Sequence, residues 1–280
     1  MVVDFDELQR LGLVEGDLQS LVELSDHYYK DGDYEKAFKC AYRASLRSYP
    51  TAERKLGFYY EKGIGVEKNY EKAFSYYSNA YAHHDLMSAY NLSLLLSQGL
   101  GCEKDLNKAF ELATVAYSTR DSKAIKLLAK YYYEGIGCDK DEVRGYELLT
   151  EALETGDTSV YYTLGINTLN GKGTQTNKEK AYLLLSNGAE QNEINCIYAM
   201  GMIHTSGNGV NQDLTKASYW FSRGAKENDA RCMYNLALFY EKGIYFSKDL
   251  VKAKFWLNKA SELGFIKARE YLMKQPQLNN

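Results

Sequence analysis

Apolar and small residues recur along most of the chain at i, i+4, i+5 and i+8, as in Ala52, Leu56, Gly57 and Tyr60, which sets them on one face of a helix. Each such stretch runs into a Gly-x-Gly segment. A second apolar stripe then starts behind an Asp or Asn, as in Asp213 followed by Lys216, Ala217, Trp220 and Phe221. The pattern predicts helix, loop, helix. Glycine just past a helix accepts the left-handed conformation that ends it. Asn69, Asp105, Asp141, Asn177, Asp213 and Asp249 suit the N-cap of the second helix.

The unit recurs every 36 residues: Gly63, Gly99, Gly135, Gly171, Gly207 and Gly243 fall at that interval without a slip. A second glycine column follows at Gly65, Gly101, Gly137, Gly173 and Gly209, with Tyr245 in the last copy. Ahead of the first glycine stand Leu56, Leu92, Leu128, Leu164, Met200 and Leu236, each followed by a small residue (Gly57, Ser93, Ala129, Gly165, Gly201, Ala237) that lets the second helix come close. A fixed period in this range is the signature of a solenoid, in which no helix pair buries its face alone and each packs on the next.

The edges fit a single array spanning residues 1–280. Residues 1–50 read as a leading helix at about 4–13, with Asp4 and Glu7 in capping-box spacing, followed by a degenerate unit about four residues short in its loop. Residues 51–264 hold six full repeats, 265–274 a capping helix that carries Ala268 and Leu272, and 275–280 a polar tail.

Composition narrows the function. With 34 basic against 37 acidic residues the formal charge is −3, which argues against coating a nucleic acid or an anionic membrane. Only two prolines occur, in keeping with helices, while 26 tyrosines give packing surfaces whose phenol edges stay near water. No apolar run is long enough to cross a bilayer, and the acidic start Met1-Val2-Val3-Asp4 is unlike a secretory signal, so a cytoplasmic protein is expected. Five cysteines stand at 40, 102, 138, 196 and 232, an odd count without CxxC. Equivalent places in stacked repeats lie about 10 Å apart, beyond the roughly 7 Å a disulfide tolerates. All five are read as buried small hydrophobes.

The candidate chemistry is thin. The Gly-x-Gly segment follows a helix and recurs, unlike a phosphate loop. His204 falls in the column of Tyr60 and reads as a packed ring, and neither His27 nor the pair His83-His84 has partners at metal-ligand spacing. No nucleophile motif is present. The reading is a non-enzyme with no cofactor and no metal.

The run Leu56-Gly57-Phe58-Tyr59-Tyr60-Glu61-Lys62-Gly63-Ile64-Gly65-Val66, followed by Asn69-Tyr70-Glu71-Lys72-Ala73, resembles the signature of the Sel-one-like repeat (SLR) family, relatives of the tetratricopeptide repeats. The resemblance covers roughly residues 50–275. It departs at Gly145, Thr168, His204 and Tyr245-Phe246. It implies an all-α fold, a right-handed α/α superhelix (solenoid) of 36-residue helix-loop-helix repeats that holds other proteins. The paired cysteines of a secreted branch linked to β-lactam hydrolysis are not found here.

On the tetratricopeptide-like template the first helices line the concave side. One inward column is then Arg54, Tyr90, Lys126, Tyr162, Tyr198 and Tyr234, and a second is Phe58, Leu94, Lys130, Ile166, Met202 and Leu238. Such a groove suits a peptide or helix of another protein, although the same residues also serve to pack neighbouring helices. Lys123, Lys126 and Lys130 share one helix face at i, i+3 and i+7, a basic spot that would meet an acidic group of the partner. The expected function is an adaptor or scaffold that binds a protein or peptide, and neither nucleic acid nor a membrane. Alternatives are a bacterial immunity or regulatory protein neutralising an effector, a hydrolase, and self-association through the solenoid ends.

Overall fold

The N-caps and glycines seen in the sequence are where the helices begin and end. The structure is a computed structural model that describes residues 5–275, so the proposed Asp4 cap and all but the first residue of the polar tail lie outside the described residues. Among them the chain is helical throughout, with no strand. Two compact units divide at Asp141, residues 1–141 and 142–280, and each is taken separately.

In the first unit α1 (Phe5–Gln9) continues into a π-helical turn at Arg10–Val14, where the backbone of Gly12 lies against α2 (Leu18–Lys30). Then come α3 (Tyr34–Ser45), α4 (Pro50–Lys62), α5 (Tyr70–Ala82), α6 (Met87–Gln98), α7 (Leu106–Tyr117) and α8 (Ser122–Glu134). The second unit holds α9 (Glu142–Glu154), a 3-10 turn at Thr158–Val160, α10 (Tyr161–Asn170), α11 (Lys178–Glu190), α12 (Ile194–Ser206), α13 (Leu214–Lys226), α14 (Ala230–Lys242), α15 (Leu250–Glu262) and α16 (Ile266–Lys274). Contacts are heaviest within the pairs α2–α3, α4–α5, α6–α7, α10–α11, α12–α13 and α14–α15. They continue from each second helix to the next first helix. Packing of each pair on its neighbours makes this an all-α solenoid.

The local causes are explicit. Gly63, Gly99, Gly135, Gly171, Gly207 and Gly243 cap their helices with φ between 68° and 74°, the left-handed region. Asn69, Asp105, Asn177, Asp213 and Asp249 each accept a hydrogen bond at 2.8 or 2.9 Å from the backbone N–H three residues on. The small-residue column is set by contact: a Cβ on Gly57 would sit 2.6 Å from the Tyr77 ring, and one on Gly201 would sit 2.4 Å from Phe221.

The second glycine column does more than turn the chain. A Cβ on Gly101 would lie 2.2 Å from the backbone of Tyr70, and one on Gly137 would lie 1.9 Å from the Leu106 carbonyl oxygen. These loops rest on the start of the preceding unit's second helix, where only a bare Cα fits. Tyr245 takes φ 63° in the last copy, with its ring 4.9 Å from that of Phe246 and turned edge-on to it.

One expectation is corrected. Cys40, Cys196 and Cys232 are buried, but Cys102 and Cys138 are only half-buried. They follow the second glycine in a surface loop, where Sγ contacts the Leu100 carbonyl at 3.6 Å and the Tyr131 carbonyl at 3.7 Å, respectively. Equal spacing made them equivalent without fixing their depth.

Candidate interaction surface

In residues 1–141 the first helices α2, α4, α6 and α8 turn one face to a common cavity of about 500 Å³. Arg54, Phe58, Tyr90, Leu94 and Lys123 line it, and an adjoining depression of about 400 Å³ adds Lys126 and Lys130. All seven groove residues expected in this half therefore come together. Spacing of four along α4 and α6 places each pair on one helix face, and the stacking of units aligns the faces.

Ionic chemistry surrounds the aromatic floor. The Arg54 guanidinium holds Asp85 at 2.7 Å, Lys55 pairs with Asp26, and Lys62 meets Glu61 at 2.5 Å. Tyr77 donates to Glu61 at 3.0 Å. Burial, with the Glu61 charge beside it, pushes the Tyr77 phenol far up. Burial takes Tyr59 up to about 12 and also raises Tyr90.

In residues 142–280, Tyr162, Ile166, Tyr198 and Met202 share a cavity of about 200 Å³ with Leu169, Ala199, Ile203, Ser206 and Asn208. Its lining carries no charged side chain. The Arg231 guanidinium lies 4.6 Å from the centre of the Tyr198 ring and pairs with Asp229 at 2.7 Å, which orients that ring. Tyr234 is engaged differently: Phe265 and Tyr271 contact it edge-on at 5.5 and 5.9 Å, so the last helix covers it. Leu238 is half-buried on α14.

Several lining residues escaped the sequence reading, among them Asp26, Tyr29, Lys55, Glu61, Lys62 and Tyr77. Asp26 was findable, because carrying the Phe58 column into the shortened first unit lands on it. Tyr77 was not, since it reaches the cavity from a second helix. A separate depression of about 570 Å³ lies by the loop from Cys102 to Asp105 and the start of α7, and holds none of the expected residues. Among the described residues no group of His, Cys, Asp and Glu is arranged to hold a metal ion, and no helix is long and apolar enough to cross a membrane.

Stacked helix pairs joined by glycine-capped loops define an α-solenoid repeat protein. The model of the Sel1 repeat matches residues 21–49, 50–85, 86–118, 122–157, 159–193, 194–229 and 230–265, and the chain belongs to this family. Sel1 repeats generally serve as scaffolds for protein interactions. A Sel1 repeat protein from Oxalobacter formigenes is 26% identical with a TM-score of 0.74, covering 86% of this chain and 96% of its own. The Escherichia coli protein c5321, a protective antigen of uropathogenic strains with an SLR fold, gives a TM-score of 0.82 at 24% identity over 97% of this chain. The chain spans 59% of the length of c5321. No curated protein matches it in sequence.

Proposed function

We propose that the chain is a non-enzymatic adaptor that holds a segment of another protein against the face formed by its first helices. The observation that carries the reading is the alignment of aromatic and aliphatic side chains from successive first helices into open cavities, Tyr90 with Phe58 and Leu94 in one half, and Tyr162 with Tyr198 and Met202 in the other. Rigid aromatics around a depression are favoured anchors, because they lose little conformational freedom on binding. Tyr234 serves mainly to pack the last helix. The odd cysteine count without close pairs suits a reducing compartment, and a cytoplasmic setting is part of the proposal.

The test is affinity capture with two baits, the wild type and a Tyr162→Ala/Tyr198→Ala variant whose folding is checked by circular dichroism. Each anchor lost should cost about 1–3 kcal/mol, enough to release a micromolar partner. A protein held by wild type and lost by the variant supports the reading. One held equally by both removes these tyrosines from the site.

A further inference from the structure

We infer that the face of residues 1–141 takes an acidic segment of its protein partner, one presenting carboxylates about 10 Å apart above an apolar or aromatic side chain. The inference rests on the proposal that this face holds a partner, and it adds the partner's chemistry.

The two adjoining depressions are lined by six basic side chains (Arg54, Lys55, Lys62, Lys123, Lys126 and Lys130) against only two acidic ones, Asp26 and Glu61. That concentration stands out in a chain whose formal charge is −3. The uncharged lining of the cavity in residues 142–280 shows that the charge is not a property of the repeat itself.

Five of these cations differ in how firmly they are held. Arg54, Lys55 and Lys62 are tied to Asp85, Asp26 and Glu61 within the chain. On α8, Lys123 is exposed, and Lys130 makes only a 4.0 Å contact with Glu134 while both side chains are more than half exposed. Water screens a contact of that kind, so it scarcely competes with a partner's carboxylate. Lys123 and Lys130 lie seven residues apart on one helix, a rise of about 10 Å. That spacing sets the separation of the two carboxylates. Beside them on α6 stand Tyr90 and Leu94, with Phe58 on α4, and these would receive the apolar side chain.

Exposed pairs contribute little affinity singly; they set selectivity and the rate of encounter, while the apolar floor holds the segment. A nucleic acid would also offer anions, but Arg54, Lys55 and Lys62 are already paired within the chain and the net negative charge of the chain opposes a polyanion at a distance.

The experiment is selection from a displayed random-peptide library on the full chain and on a Lys123→Glu/Lys130→Glu variant. Glu is favoured in the first turn of a helix, so the change at 123 should not unfold α8, and circular dichroism checks this. Wild type should enrich peptides of net negative charge. The best of them should bind the variant about tenfold more weakly at low salt, with a smaller difference at high salt. Enrichment without an acidic bias, or acidic peptides held equally by the variant, overturns the inference and leaves the peptide-holding reading standing. No enrichment on wild type removes both. A mixed-sequence single-stranded oligonucleotide that binds more tightly than any peptide, through the same lysines, also overturns it.

Discussion

The hydroxyl of Ser93 lies 2.9 Å from that of Tyr131, although 38 residues separate them. Ser93 spends its one proton on the Ala109 carbonyl at 2.7 Å, so the Tyr131 phenol is the donor to it. One serine on α6 thereby ties its own second helix, α7, to the next first helix, α8. The same device joins Ser25 to the Ala37 carbonyl at 2.8 Å and to Tyr59 at 2.7 Å. Where the small-residue column holds Gly57, Gly165 or Gly201, the matching residue of the following repeat is Leu95, Ile203 or Phe239, none of which carries a hydroxyl. A serine in this column thus comes with a tyrosine in the next unit.

Ser93→Ala should destabilise the protein by about 1–2 kcal/mol, because the Tyr131 hydroxyl is buried and keeps only a weaker contact to the Ser93 carbonyl at 3.2 Å. Adding Tyr131→Phe should recover part of that loss. Urea unfolding of the two single variants and the double variant measures the coupling, and purely additive effects would deny it.

The two glycines of one loop should differ in cost. Gly135→Ala meets nothing closer than 3.5 Å and suffers only its φ of 68°, a loss of about 1–2 kcal/mol. Gly137→Ala adds a Cβ 1.9 Å from the Leu106 carbonyl oxygen and should cost about 3 kcal/mol or more. Equal losses in thermal or urea unfolding would contradict the close-packed loop.

His204 is buried with neither ring nitrogen hydrogen-bonded, and its ring lies edge-on to Tyr182 at 5.7 Å. Burial holds its pKa below the ordinary 6.5; Lys216 adds to the effect, while Asp213 opposes it. The unfolded chain then binds a proton that the folded chain refuses. Stability contributed by His204 is therefore full above pH 6.5 and falls as the pH drops from there toward the lowered folded value. His204→Leu, the residue type at position 96 of the same column, should flatten that part of the pH dependence between about pH 7.5 and about pH 5.5 in urea midpoints. An equal fall in both proteins would assign it to other groups.

Much of the fold was legible because Gly63, Leu56 and their counterparts recur at 36 residues, and a periodic sequence can bury its faces only by stacking. The bonds across repeats were less legible. The link from Ser93 to Tyr131 joins different columns of different units, and the second glycine's close approach depends on where a neighbouring helix starts. At the candidate surface, spacing of four grouped Tyr90 with Leu94 and Tyr162 with Ile166. The Arg54–Asp85 pair and the reach of Tyr77 into the cavity depend on three-dimensional placement that no column encodes. Tyr234 shared its column with the groove residues, yet the last helix covers it.

Site-specific photo-crosslinking tests the central claim most directly. A benzophenone side chain is placed at Tyr162 or Met202 in the cavity, or at the exposed Tyr219 on the second helix α13. The account predicts one partner band from both cavity positions and none from Tyr219. A band from Tyr219 with none from the cavity positions would contradict it and move the binding surface to the second helices.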